Sequence, residues 1–95
     1  MDVQIQKYTI VSKEKMFMWR DGESITFDIS PFNFLSTGIQ NGNIVVWLAV
    51  QTDMPKERVA ITTFGTGAVV DTNRYTYWGT VQKGTLVYHI FQDFD

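Results

Sequence analysis

The 95-residue chain contains no cysteine, and this removes disulfide frameworks, thiolate metal sites and thiol nucleophiles together. Histidine occurs once, at His89, so a serine-type triad would depend wholly on that ring and a metal site would need carboxylates to complete it. The eight basic residues are scattered, and the net charge is −2 with a pI near 5.2. Duplex DNA binding requires many phosphates to be neutralised, so DNA is not an expected partner. A small anionic ligand needs only two or three positive groups and stays within reach. The longest uninterrupted apolar run, Ile44 to Val50, is far short of the about 20 residues a membrane-spanning helix needs. The opening residues alternate apolar and polar side chains, unlike the basic start and apolar core of a secretory signal. These absences lead to the expectation of one domain over residues 1–95, in a reducing cytosolic compartment and without a membrane partner.

What is present favours sheet. Ten valines, eight isoleucines, eleven threonines and fourteen aromatics stand against three leucines, three alanines and three glutamates, and β-branched and aromatic side chains suit a pleated, half-buried surface. Strands are predicted over Val3 to Val11, Ser24 to Ile29, Ile44 to Gln51, Arg58 to Phe64, Tyr75 to Gln82 and Thr85 to Gln92, and Phe32 to Gln40 leads into the Asn41-Gly42 turn. A further extended run, Lys15 to Arg20, is predicted to form a hairpin with Ser24 to Ile29 across Asp21-Gly22. Asn41-Gly42 and Lys83-Gly84 mark two more hairpins, because such pairs supply the positive φ of a tight reversal. Ile44 to Gln51 is apolar on both sides, which predicts a central strand covered on both faces. One short helix is allowed for, between Phe32 and Ser36 or between Gly67 and Asn73. Six to eight strands with turn signals about every 8 to 12 residues point to an antiparallel β-sandwich or a barrel-like sheet.

Lys7-Tyr8, Ile39-Gln40-Asn41-Gly42, Trp47, Gly65-Thr66-Gly67, Gly79-Thr80-Val81-Gln82 and Leu86-Val87-Tyr88-His89-Ile90-Phe91, taken in order, resemble a widespread family of small uncharacterised bacteriophage and prophage proteins. The resemblance runs from about Gln6 to Phe91. The chain departs from the pattern at Gln6 and Tyr88, where tryptophan is usual, and the stretch from Ser12 to Gly22 looks like an elaboration. The resemblance implies a phage accessory protein at work in the cytosol of an infected bacterium. It implies no settled activity.

No catalytic constellation, metal set or cofactor motif is found. His89 alternates with Val87 and Phe91, and a hydrogen-bonded core histidine is its expected role. Gly65-Thr66-Gly67 lacks the following Lys-Ser or Lys-Thr of a phosphate loop, so a turn needing positive φ is its first explanation and an anion nest its second. Arg74-Tyr75-Thr76-Tyr77-Trp78 carries aromatic faces and one guanidinium, suited to stacking a base and holding a phosphate or to anchoring a protein. Strand alternation places Arg74, Thr76 and Trp78 on one face and Tyr75 and Tyr77 on the other, so one set is expected in the core. The candidate ligand-binding residues are therefore Gly65, Thr66, Gly67, Arg74, Tyr77 and Trp78.

The expectation is a non-enzymatic binding protein that inhibits a host factor or sequesters a small nucleotide-like signal. The alternative is a structural component of a phage particle. An aromatic content of 15%, with Met16, Phe17, Met18 and Trp19 forming a second cluster, adds the expectation of a homo-oligomer that buries the excess between copies.

Overall fold

Alternation of β-branched and aromatic residues produces seven strands in the computed structural model, which describes residues 2–94. They are β1 (Gln4–Val11), β2 (Glu23–Ile29), β3 (Phe32–Gln40), β4 (Asn43–Val50), β5 (Glu57–Phe64), β6 (Tyr75–Lys83) and β7 (Leu86–Asp93). Two antiparallel sheets result, one ordered β1-β4-β3 and the other β2-β5-β7-β6. The architecture is a sandwich; the sheets do not close into a barrel.

The turn chemistry sets the register. Asn41 and Gly42 take φ of 52° and 82°, the pair of positive values a two-residue hairpin needs, and Gln40 pairs with Asn43 across them. The β6–β7 reversal falls one residue later than predicted. Lys83 pairs with Leu86, so Gly84 at φ 60° opens the turn and Thr85 completes it.

Between the sheets lies a single apolar core. Ile44, Val46, Leu48 and Val50 project into it from β4, meeting Ile61 of β5, Val81 of β6, and Tyr88 and Ile90 of β7. One flank of the sandwich is pinned where β3 meets β6: a Cβ on Gly79 would stand 2.6 Å from Thr37 Cγ2, so only glycine permits this approach. On the opposite flank Tyr8 of β1 stacks on Phe27 of β2, with ring centroids 4.6 Å apart.

Two expectations are corrected. Residues Lys15 to Arg20 do not form a strand; Met16–Met18 is a 3-10 turn, and β2 pairs instead with β5, Ile25 opposite Ile61. The reason is spacing: Met16 and Trp19 lie three apart, one 3-10 turn, and both reach the core, Trp19 resting edge-on against Tyr88 at 4.9 Å. The Asp21-Gly22 turn itself forms, with Glu23 N–H donating to Arg20 C=O at 3.1 Å. No helix occupies 32–36 or 67–73; the first is strand β3 and the second is a turn-rich loop. As expected, β4 is central in its sheet and buried on both faces. On its outer face Val45 and Ala49 are buried while Trp47 lies across Gly38, its ring 3.4 Å from the position a Gly38 Cβ would take.

Tyr88 is 1% exposed, and among the described residues its hydroxyl has no hydrogen-bond partner. Burial pushes the phenol above its ordinary value. An orphaned buried hydroxyl costs about 1–3 kcal/mol, so Tyr88→Phe is expected to hold or raise stability in denaturant titration, by up to about 1 kcal/mol. Because the folded-state value is the higher one, the native state holds the phenol proton more tightly than the unfolded chain, and stability falls as pH rises from about 10 through the folded-state titration. Tyr88→Phe is accordingly expected to flatten the alkaline fall in stability. Gly79→Ala is expected to destabilise by about 1–3 kcal/mol in the same measurement, through overpacking against Thr37.

Candidate functional site

Strands β5, β7 and β6 run side by side, and their inward residues are spent on the core. Tyr88 and Ile90 point in from β7, so Val87, His89 and Phe91 occupy the outer face. His89 stands directly opposite Phe64 of β5 and Thr80 of β6, and Phe91 stands opposite Tyr77. A bulge between Tyr77 and Gly79 then resets the alternation of β6. Tyr75, Tyr77 and Thr80 face outward with His89, whereas Trp78 turns inward and stacks on Phe34 at 4.7 Å, with Phe32 edge-on at 5.8 Å.

The outer face carries two linked features. One is a set of rings in edge-to-face contact: Phe64 with Tyr75 at 5.2 Å, Phe64 with Phe91 at 5.5 Å, and Tyr77 with Phe91 at 5.4 Å. The other is a polar relay. His89 Nε2 is hydrogen-bonded to Thr66 Oγ1 at 2.8 Å and Nδ1 to Thr80 Oγ1 at 2.9 Å. Thr80 Oγ1 in turn bonds the Tyr77 hydroxyl at 2.6 Å. His89 is therefore hydrogen-bonded, as expected, but it is half-buried on the outer face instead of enclosed in the core.

At one end of the relay the loop after β5 forms a hollow of about 200 Å³, lined by Phe64, Thr66, Gly67, Val70, His89 and Phe91 among others. Ala68 N–H donates to Gly65 C=O at 3.2 Å, closing a turn whose third residue, Gly67, has φ 97°. Gly65 N–H is held by Asp21 Oδ1 at 2.6 Å, so the turn before β2 fixes the loop after β5. A second cleft, about 260 Å³, opens between β1 and β2 beside Trp19, with Lys15 and Glu23 among its lining residues.

The residues proposed from sequence divide into three places. Gly65, Thr66, Gly67 and Tyr77 come together on the outer face through the relay. Arg74 lies at the start of β6, where its Nε and Nη2 donate to the two carboxylate oxygens of Asp93, both at 3.0 Å, and its guanidinium sits 5.0 Å from the Tyr75 ring centre. Trp78 is on the opposite side of the sheet, packed against Phe32 and Phe34. Thr80 and Phe91 belong to the face and were not singled out; the cross-strand register that gathers them depends on the bulge. Among the described residues no three His, Asp or Glu side chains gather as a metal site.

Of the segments that carry the sequence resemblance, three meet at this point: the glycine loop through Thr66, the β6 segment through Thr80, and the β7 segment through His89. A family model described as a domain of unknown function (DUF7352) matches residues 1–95. The chain belongs to the DUF7352 family. No curated protein and no solved structure matches it. In this DUF7352 domain the relay and its hollow therefore have to be read from their own chemistry.

The division of the β6 aromatics between core and surface is testable by substitution. Trp78→Ala should destabilise the domain by about 2–4 kcal/mol, the loss of a packed core-facing ring. Tyr77→Ala, at a residue 56% exposed, should stay within about 0.5 kcal/mol of the parent. Urea titration of the two variants, with circular dichroism as the readout, checks the contrast.

Proposed function

We propose that this DUF7352 domain is a non-enzymatic binding protein that engages a protein target through the outer face of its four-stranded sheet. The observation that carries this reading is the coincidence of exposed ring surface and hydroxyl groups at one place. Tyr77 is 56% exposed beside the Phe64, Tyr75 and Phe91 rings, and the Thr66–His89–Thr80 relay runs along the same face. Tyrosine and other aromatics dominate the energetics of protein interfaces because they give large rigid contact area together with a polar tip.

Sequestering a nucleotide-like signal draws less support. Arg74, the intended phosphate contact, is paired bidentately with Asp93, and Trp78, the intended stacking platform, faces the core. The hollow of about 200 Å³ also falls below the roughly 300–1,000 Å³ of most small-molecule pockets. The resemblance to phage and prophage proteins supports a setting in the cytosol of an infected bacterium, with a host factor as the target.

The assembly reading is favoured by a separate observation. The outer face of the three-stranded sheet presents Trp47 over buried Val45 and Ala49, with Ile5 68% exposed and Leu35 48% exposed at its sides. A second copy or a particle component laid on this face would cover it, which is the homo-oligomeric arrangement anticipated from the aromatic content.

Affinity capture from infected cells with the parent chain and with a Tyr77→Ala/Phe91→Ala double variant tests the main reading. A host protein retained by the parent and lost, about tenfold or more, by the folded double variant is the expected result. Equal retention by both would overturn it. Recovery of the chain in purified virions, together with a sedimentation mass above that of a monomer that Trp47→Ser reduces, would instead support assembly.

A further inference from the structure

The face described above has a definite hydrogen-bond polarity, and this polarity determines what chemistry its polar end selects. Each hydroxyl carries one hydrogen, and a neutral imidazole carries one on either nitrogen. The relay from Thr66 through His89 and Thr80 to Tyr77 contains three bonds, at 2.8, 2.9 and 2.6 Å. These use every hydrogen in the relay except one, and the imidazole tautomer decides on which side of His89 the spare hydrogen lies. With the imidazole hydrogen on Nε2, His89 donates to Thr66, Thr80 donates to Nδ1 and Tyr77 donates to Thr80. The Thr66 hydroxyl then has its hydrogen free for a ligand, and the Tyr77 oxygen offers only lone pairs. With the hydrogen on Nδ1 both bonds to His89 reverse, Thr66 donates to Nε2, and the free donor moves to the Thr80–Tyr77 side.

Around Thr66 the surroundings favour the first arrangement when a ligand is present. Gly65 N–H is taken by Asp21 and Ala68 N–H by Gly65 C=O, while the Thr66 and Gly67 N–H groups have no acceptor among the described residues. Nothing lies within 4 Å of the position a Gly67 Cβ would take, so the backbone there is open to approach. Phe64, Ala68, Val70 and Phe91 give the hollow apolar walls. A pocket with backbone N–H donors, one hydroxyl donor and a hydrocarbon lining, in about 200 Å³, suits a carboxylate on a short carbon chain. Backbone capture of a carboxylate is an established mode of peptide recognition.

We infer that the hollow beside Thr66 is a subsite for a carboxylate of the protein target, received by the Thr66 hydroxyl and the Thr66 and Gly67 N–H groups. This rests on the reading of the outer face as the binding surface. An acceptor-only ligand fixes the spare hydrogen at Thr66 and therefore sets the His89 ring to its Nε2–H form. The same event leaves Tyr77 as an acceptor, so the target presents a donor there. Carboxylate and donor are read as a pair, coupled through one imidazole.

His89 is the single histidine of the chain, so the ring ¹⁵N signals of the intact protein are unambiguous. The test titrates acetate at pH 8 against sodium chloride at matched ionic strength. The expected result is a movement of the ring nitrogens toward the Nε2–H pattern, with the Thr66 and Gly67 amide signals following the same curve. Thr66→Val should weaken the acetate response about tenfold or more, the loss of one hydrogen bond to a charged group, and Thr66→Ser should retain it. Identical responses to acetate and chloride would overturn the inference, as would an unaltered curve in Thr66→Val or a response to inorganic phosphate without one to acetate. A peptide with a free C-terminal carboxylate and an amidated peptide bearing an aspartate then separate the two sources of the group, the chain terminus and the side chain. Failure with acetate while Tyr77→Ala/Phe91→Ala still abolishes capture removes the carboxylate subsite and leaves the binding face. Failure of both removes the face.

Discussion

The bulge between Tyr77 and Gly79 in β6 is the constraint on which the candidate site depends. Strict alternation over Tyr75–Lys83 would have carried one set of side chains to one face for the whole strand. Alternation carries Tyr77 outward and Trp78 inward to Phe32 and Phe34, and the extra residue then returns Thr80 to the outside, opposite His89. Gly79 follows at the point where β6 meets Thr37 of β3 too closely for any side chain. One irregularity thus performs two tasks: it closes the flank of the sandwich and lines up the hydroxyls that hold the imidazole.

The two sheets play different parts in this arrangement. The three-stranded sheet supplies most of the aliphatic core from β4, whose Ile44, Val46, Leu48 and Val50 are all buried. The four-stranded sheet supplies the polar outer surface, where Ser24 and Thr62 hydroxyls also meet at 2.6 Å across β2 and β5. Links between distant segments hold the glycine loop in place. Asp21, from the turn before β2, binds Gly65 N–H, and Gly22 N–H donates to Thr63 C=O in the adjacent strand at 2.9 Å. The stretch from Ser12 to Gly22 therefore supports the site from the side, with the Trp19 indole N–H donating to the Thr63 hydroxyl.

Much of the fold was legible in the sequence because short-range chemistry decides it. Asn41-Gly42 sets its hairpin through backbone conformations that few other pairs adopt, and the apolar run from Ile44 to Val50 is a central strand because only the middle of a sheet gives so many side chains cover. What was not legible depends on distant partners. Met16 and Trp19 lie three apart, the spacing of one 3-10 turn, but that both must face the core follows only from distant partners such as Tyr88, which Trp19 meets edge-on. Ser24 to Ile29 carries no mark that its partner is β5 instead of the residues just before it. In the candidate site, Gly65 to Gly67 and Tyr77 were visible as a loop and an exposed ring, but the roles of Thr80 and Phe91 follow from a cross-strand register that the bulge shifts. His89 was expected inside because a lone histidine among apolar neighbours usually is; the parity of β7 places it outside.

The central claim is that alternation takes Trp78 to the interior while the bulge returns Thr80 outward, joining Thr66, His89, Thr80 and Tyr77 on one outer face. Nuclear Overhauser contacts in the intact protein measure this most directly. The account predicts contacts from the Trp78 indole to the Phe34 ring, and from the His89 ring to the methyl groups of both Thr66 and Thr80. Contacts from the Trp78 indole to the Tyr75 or Phe91 ring, with none between His89 and Thr80, would contradict it.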